Sequence, residues 1–171
     1  RVGAASLLLE QAAPPQLIKG IQEHRPTFCW TSPTAYRAML GLRGSHDISS
    51  LTKCVSAGEH LPRATFEAWE NATGIRIIDG IGATEMLHIF ISASGSDIRP
   101  GSTGRVVPGY EARCVDANGN EVPRGEIGRL AVHGPTGCRY LADVDRQRGY
   151  VEKGWNITGD SFREDDDGYF W

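Results

Sequence analysis

The alternation of apolar and polar positions changes rhythm partway along the chain. In "PQLIKGIQEHR" (15–25) apolar residues recur three and four apart, which predicts one buried helix face. "PTFCWT" is short and rich in strand formers. "SPTAYRAMLGLRG" returns to helical spacing, with Ser32 as N-cap, Pro33 in the first position and a glycine stop. "LTKCVSAG" then reads as strand, "LPRATFEAWENATG" as a helix ended by Gly74, and "IRIIDG" as strand. "MLHIFISA" follows as a further apolar strand or buried segment. Strands and helices alternating at these lengths predict βαβ units on a parallel sheet.

Near "SASGSDIRPGSTG" small residues, Gly and Pro take over, and short strands separated by turns follow. "VDANGNEV" is a hairpin signal in which Asn118-Gly119 supply positive φ angles. "YLADVDRQRGYV" reads as a short helical or irregular excursion, and "EDDDG" as a hairpin turn rather than a calcium loop, because its acids lack alternating spacing. The predicted fold class is therefore α/β: a βαβ-type parallel sheet portion over residues 1–98, then a small antiparallel sheet or partial barrel over 99–171.

Composition narrows the functional classes. The 171 residues are 40% hydrophobic and 23% charged, with a formal charge of −3. Residues 1–98 carry 8 basic and 9 acidic side chains and residues 99–171 carry 10 and 12, so neither part offers a basic surface for nucleic acid or an anionic membrane. No apolar run approaches bilayer-spanning length, and "RVGAASLLLEQAAPP" is too soon interrupted for a signal peptide; the expected location is cytosolic. Cys29, Cys54, Cys114 and Cys138 lack C-x-x-C spacing and are expected to be buried free thiols. The five histidines show no metal-ligand spacing.

Candidate chemistry gathers in "DGIGATEMLHIF" (79–90), at the carboxyl end of a predicted strand, where α/β sheets bind ligands. Gly80 and Gly82 allow close backbone approach to an anion, Thr84 offers a hydroxyl donor, and Glu85 can serve a phosphate through a hard cation such as Mg²⁺. The plainer alternative makes Thr84 a helix cap and Glu85 a partner of the helix dipole. A second stretch, "GWNITGD" (154–160), ends in Asp160 after a small-residue turn. An ionised aspartate there can accept hydrogen bonds from both hydroxyls of a ribose, or simply form the turn.

Taken together, "PTAYRAML", "SAGEHLP", "DGIGATE", "GSTGRVVPGYEARCVDANGNEVPRGEIGRLAVHGP" and "GWNITGDSFREDDDGYFW" resemble, in order, the adenylate-forming superfamily of acyl-CoA synthetases, aryl acid ligases and luciferases. "SAGE", "DGIGATEMLHIFISA" and "GPTGCRYL" look most like benzoate and 2-aminobenzoate CoA ligases. The resemblance implies ATP, Mg²⁺ and CoA as cofactors and an aromatic carboxylate as substrate. Thr84 would contact the α-phosphate, Glu85 the Mg²⁺ and Asp160 the ribose. Ser56, Ala57, Gly58 and Glu59 would form a loop beside adenine, with Asp79 and Gly80 on another side. Ile81, Gly82, Ala83 and His88 would lie at or near the acid pocket. Ile81 stands where many members carry an aromatic residue, which leaves an aliphatic contact in place of ring stacking. From the residues alone, a lone histidine such as His88 is as well read as a satisfied core side chain, and Trp30 and Tyr36 read as core or pocket wall.

The absence of an initiating Met and the ending in "DGYFW" suggest a central portion of a longer enzyme. The phosphate loop with its lysine, the hinge and the catalytic lysine known from the family would lie outside these residues, so the chain by itself is expected to be inactive or nearly so. Two alternatives stay open: an aryl-acid adenylation domain that loads a carrier protein, and a non-catalytic nucleotide-binding scaffold. Oligomeric state is not legible.

Overall fold

The computed structural model describes residues 3–171; Arg1 and Val2 of the opening stretch lie outside the described residues. Helix α1 (Pro14–His24) begins with Pro at its first turn and buries Ile18 and Ile21. Strand β1 (Phe28–Thr31) leads into α2 (Pro33–Leu42), whose Ser32 cap accepts a hydrogen bond from the Ala35 N–H at 3.2 Å. Strand β2 (Lys53–Ser56) is followed by α3 (Arg63–Thr73), which ends on Gly74 at φ 73°. The periodic positions of these helices become one core with β1, β2 and β3 (Ile77–Gly82). Tyr36, Trp69 and Phe66 are its largest buried side chains, and Tyr36 meets Trp69 edge-on at 4.8 Å.

Strands β1, β2 and β3 are parallel, as the alternation predicts. The next strand, β4 (Ile89–Ser92), instead folds back antiparallel on β3, and β5 (Arg105–Val106) pairs antiparallel with β4, so the five-stranded sheet is mixed. The reason is length: only six residues separate Gly82 from Ile89, too few for a parallel crossover.

A second sheet, order β6-β7-β9-β8, is antiparallel and curls into a half-barrel. It comprises β6 (Glu111–Val115), β7 (Ile127–His133), β8 (Val151–Glu152) and β9 (Trp155–Arg163), with helix α4 (Val144–Tyr150) before β8. The β6 hairpin turn differs from expectation in one detail. Gly119 has φ 77°, but Asn118 does not take a positive angle. The Asp116 carboxylate explains this, because it accepts from the N–H groups of Asn118 and Asn120 at 2.8 Å each and holds the turn from inside. "EDDDG" is likewise a turn, with Asp165 accepting from Asp167 and Tyr169 N–H.

A second core joins β4 to the half-barrel through Met86, Phe90, Ile91, Leu130, Val132 and Phe170. Cys29, Cys54 and Cys114 are buried free thiols; Cys138, expected to be the same, is free but only half-buried. Among the described residues no helix is long and apolar enough to cross a membrane.

Candidate active site

The segment 79–85 runs between the two cores, anchored by Ile77 on one side and Met86 on the other, both fully buried. Between these anchors Ile81 and Ala83 pack against the second core, and Asp79 is buried opposite Ser56. Gly80 and Gly82 are required by β4: a Cβ on Gly80 would lie 2.9 Å from the Ile89 side chain, and one on Gly82 would lie 2.6 Å from the His88 carbonyl oxygen. Close packing of the hairpin is thus the demand these glycines meet.

Thr84–Met86 form a single 3-10 turn whose N-cap is Ala83, with no side-chain cap bond. Thr84 is therefore no helix cap, and its side chain is exposed. Leu87 closes the turn at φ 64° and is 76% exposed, an unusual conformation and setting for leucine. His88 is exposed rather than a core residue.

Asp160 reaches the same region by a different device. The sequence suggests a turn, but "NITGD" lies within β9. The β7–β9 register passes from Arg129↔Ser161 to Ala131↔Ile157, which leaves Thr158, Gly159 and Asp160 opposite Leu130 alone. Gly159 takes φ 88°, and the Asp160 N–H donates to Thr158 Oγ1 at 3.2 Å. This bulge turns Asp160 out of the ladder toward the first sheet.

Two clefts result. One, of about 390 Å³, brings together Gly58, Glu59, Asp79, Gly80, Ile81, Gly82 and Asp160, along with Thr103, Phe162 and Trp171. The other, of about 330 Å³, is lined by Ala57, Gly58, Gly82, Ala83, Thr84 and His88, with Trp30 and Leu87 as its large apolar walls. Gly58 and Gly82 line both, so the clefts adjoin. A larger cavity of about 700 Å³ lies away from all candidate residues, between the ends of α2 and α3. Its acid, Asp47, is already paired with Arg25 at 2.8 Å.

Ser56 lies in neither cleft. It is fully buried opposite Asp79, and neither Ser56 Oγ nor Asp79 Oδ1 has a hydrogen-bond partner. Burial pushes the Asp79 carboxyl up to about 7, against the opposing influence of Ser56 and the Gly80 N–H. The folded-state value exceeds the unfolded one of 3.8, so this residue's contribution is fully present below that value and is lost as pH rises from there to about 7. Relative to Asp79→Asn, wild-type stability should fall by on the order of 3 kcal/mol between pH 4 and pH 8. Chemical denaturation of both proteins across that range checks this; parallel pH profiles would contradict it.

Glu85 also lies outside both clefts. Its Oε1 accepts a 2.6 Å hydrogen bond from the Tyr140 hydroxyl and lies 3.8 Å from the Arg146 guanidinium. The Tyr140 hydrogen bond, with help from the Glu85 N–H and Arg146, lowers the carboxyl pKa and keeps it ionised. Glu59 is held by Thr34 Oγ1 at 2.6 Å. Neither Tyr140 nor Thr34 stands out in the sequence, since each acts on a residue 55 or 25 positions away.

The two adjoining clefts lie at the carboxyl ends of the sheet's parallel strands, where α/β sheets bind ligands. The AMP-binding enzyme family matches residues 1–140, and the chain belongs to it. It is 34% identical over 174 residues to the benzoate–CoA ligase of Thauera aromatica, covering 99% of this chain and 33% of that protein. It is 36% identical over 170 residues to the anthranilate–CoA ligase of Pseudomonas aeruginosa, covering 97% and 32%. The crystal structure of the anthranilate CoA ligase AuaEII in complex with anthranoyl-AMP superposes with a TM-score of 0.94 at 44% identity, covering 99% of this chain and 34% of that one. The chain thus spans about a third of the length of the relatives it matches.

Proposed function

We propose that the full-length protein is an ATP-dependent aromatic acid–CoA ligase of the benzoate or 2-aminobenzoate type. The observation that carries this reading is the pair of adjoining clefts. One bears the carboxylates Asp79 and Asp160, and the other is lined by the small residues Ala57, Gly58, Gly82 and Ala83 and the apolar Trp30, Leu87 and Ile89.

On this reading the nucleotide occupies the first cleft. Asp160 accepts from the ribose hydroxyls, and Asp79 and Gly80 flank the adenine on one side. Of the loop predicted beside adenine, Gly58 and Glu59 border the base, Ala57 lines the other cleft and Ser56 is buried beneath, while Gly80 and Ile81 supply backbone and aliphatic contact. The aromatic acid enters the second cleft, where Gly82 and Ala83 leave room for a flat ring between Trp30 and His88. Its carboxylate, ionised at neutral pH, needs no general base to attack the α-phosphate. Pyrophosphate leaves, and the CoA thiol then displaces AMP from the acyl adenylate.

Thr84 lines the acid cleft beside Gly82, which suits its hydroxyl to donate to the α-phosphate as charge develops there. Among the described residues no cluster of three or more ligating side chains holds a metal by itself. One ionised carboxylate is nonetheless what Mg²⁺ takes from a protein when substrate phosphates complete its shell, and Glu85 fits that donor set. When bound, the cation would neutralise phosphate charge.

The test is ATP- and CoA-dependent product formation by the full-length protein across benzoate, 2-aminobenzoate, hydroxybenzoates, cinnamates and medium-chain fatty acids. Preference for benzoate-type acids is expected. Adenylate formation without acylation of CoA would transfer the reading to carrier-protein loading, and no pyrophosphate release with any acid would leave a nucleotide-binding scaffold.

A further inference from the structure

The excursion at 138–150 does more than connect strands. Tyr140 is held on several sides by α4. Its N–H donates to Gln147 Oε1 at 2.8 Å, its ring meets Tyr150 edge-on with centroids 5.7 Å apart, and the Arg146 guanidinium lies 4.2 Å above it. A side chain so restrained presents its hydroxyl in one direction, and that hydroxyl lies 2.6 Å from Glu85 Oε1. Arg146 meets the same oxygen, at 3.8 Å. Both contacts therefore fall on Oε1, and neither engages Oε2.

We infer that Tyr140 is a positioning residue: its hydroxyl fixes the Glu85 carboxylate so that Oε2 is presented to the divalent cation that accompanies the nucleotide. This rests on the role proposed for Glu85 above. The physical case is general. A carboxylate on a short turn can adopt more than one rotamer, and a partner that occupies one oxygen selects a rotamer and directs the other. Partners of this kind commonly change metal affinity by about 10–100-fold when removed. Arg146 is the weaker candidate, since its side chain is 61% exposed and its contact longer.

The decisive experiment uses the full-length protein with Mn²⁺ and a non-hydrolysable ATP analogue, reading bound Mn²⁺ by electron paramagnetic resonance. Tyr140→Phe should weaken Mn²⁺ binding in the ternary complex about tenfold. Metal-free binding of the analogue should change less than about twofold, because the hydroxyl acts only through the carboxylate that holds the cation. Tyr150→Phe removes a buried, unpartnered hydroxyl from the ring that supports Tyr140 and should leave Mn²⁺ binding unchanged. Wild-type Mn²⁺ affinity in Tyr140→Phe would overturn the inference. So would an equal loss in Tyr150→Phe, or an equal loss of metal-free nucleotide binding, because either would make Tyr140 a structural support alone. If the wild-type protein itself bound no Mn²⁺ with the analogue, the functional reading would fall, and this one with it.

Discussion

Glu85→Gln in the full-length protein is expected to lower acid-dependent pyrophosphate release by about 10²–10³-fold, the usual cost of losing one preorganised charge-stabilising group. Glutamine keeps the volume, and its amide oxygen can still accept from Tyr140. The ion pair with Arg146 is lost, but that pair is exposed on the arginine side and contributes little. Stability should therefore hold, with a melting temperature within about 2 °C of wild type. The loss should fall mainly on kcat, and extra Mg²⁺ should restore part of it. Steady-state kinetics at varied Mg²⁺ checks each point. A fully active variant would remove Glu85 from the chemistry, and a collapsed melting temperature would show that the residue's role is structural.

The second large effect concerns the fold. Gly104→Ala is expected to destabilise by about 3–5 kcal/mol, among the larger single-residue losses. Gly104 sits at φ 123°, where a side chain is strained in any surroundings, and its Cβ would overlap the Ser92 carbonyl carbon and oxygen and lie 2.6 Å from the Ala93 nitrogen. These are backbone atoms and cannot turn aside. The Gly104 carbonyl also accepts from Phe170 N–H at 2.8 Å, so this residue joins the end of β4 to the terminal hairpin. At roughly 2–4 °C per kcal/mol for a chain of this size, thermal unfolding should fall by about 10 °C. A shift of under about 2 °C would show that the hairpin moves away without penalty. Gly109, at φ 95° with nothing near its Cβ position, should cost much less on the same substitution.

Elements specified by nearby residues were legible in the sequence. The Ser32 cap, the Gly74 terminus and the helical faces built on Ile18, Tyr36, Met39 and Trp69 depend on residues within a few positions of one another. The reversal at β4 was less so, because "MLHIF" is apolar on both sides and its pattern does not distinguish a parallel from an antiparallel partner. Asp160 was singled out by its residue type, but the bulge that turns it out of the ladder depends on register with β7, which no local pattern records. The Tyr140 contact to Glu85 joins positions 55 apart and was not legible at all. His88, read locally, suits a core as well as a surface; it stands exposed, next to Leu87 in the left-handed conformation. Contacts made within one loop could be read, and those made across the gap between the sheets needed the fold.

The central claim is that the clefts meeting at Gly58 and Gly82 hold the two halves of one aryl adenylate. The most direct measurement is calorimetric binding of a benzoyl-sulfamoyl adenosine, a stable mimic of that intermediate, to the full-length protein and to its Asp160→Ala variant. Tight binding by wild type, weakened about 30-fold or more by the loss of charge-assisted hydrogen bonds in the variant, is the expected result. Equal affinity for both proteins, or none for wild type, would contradict the account.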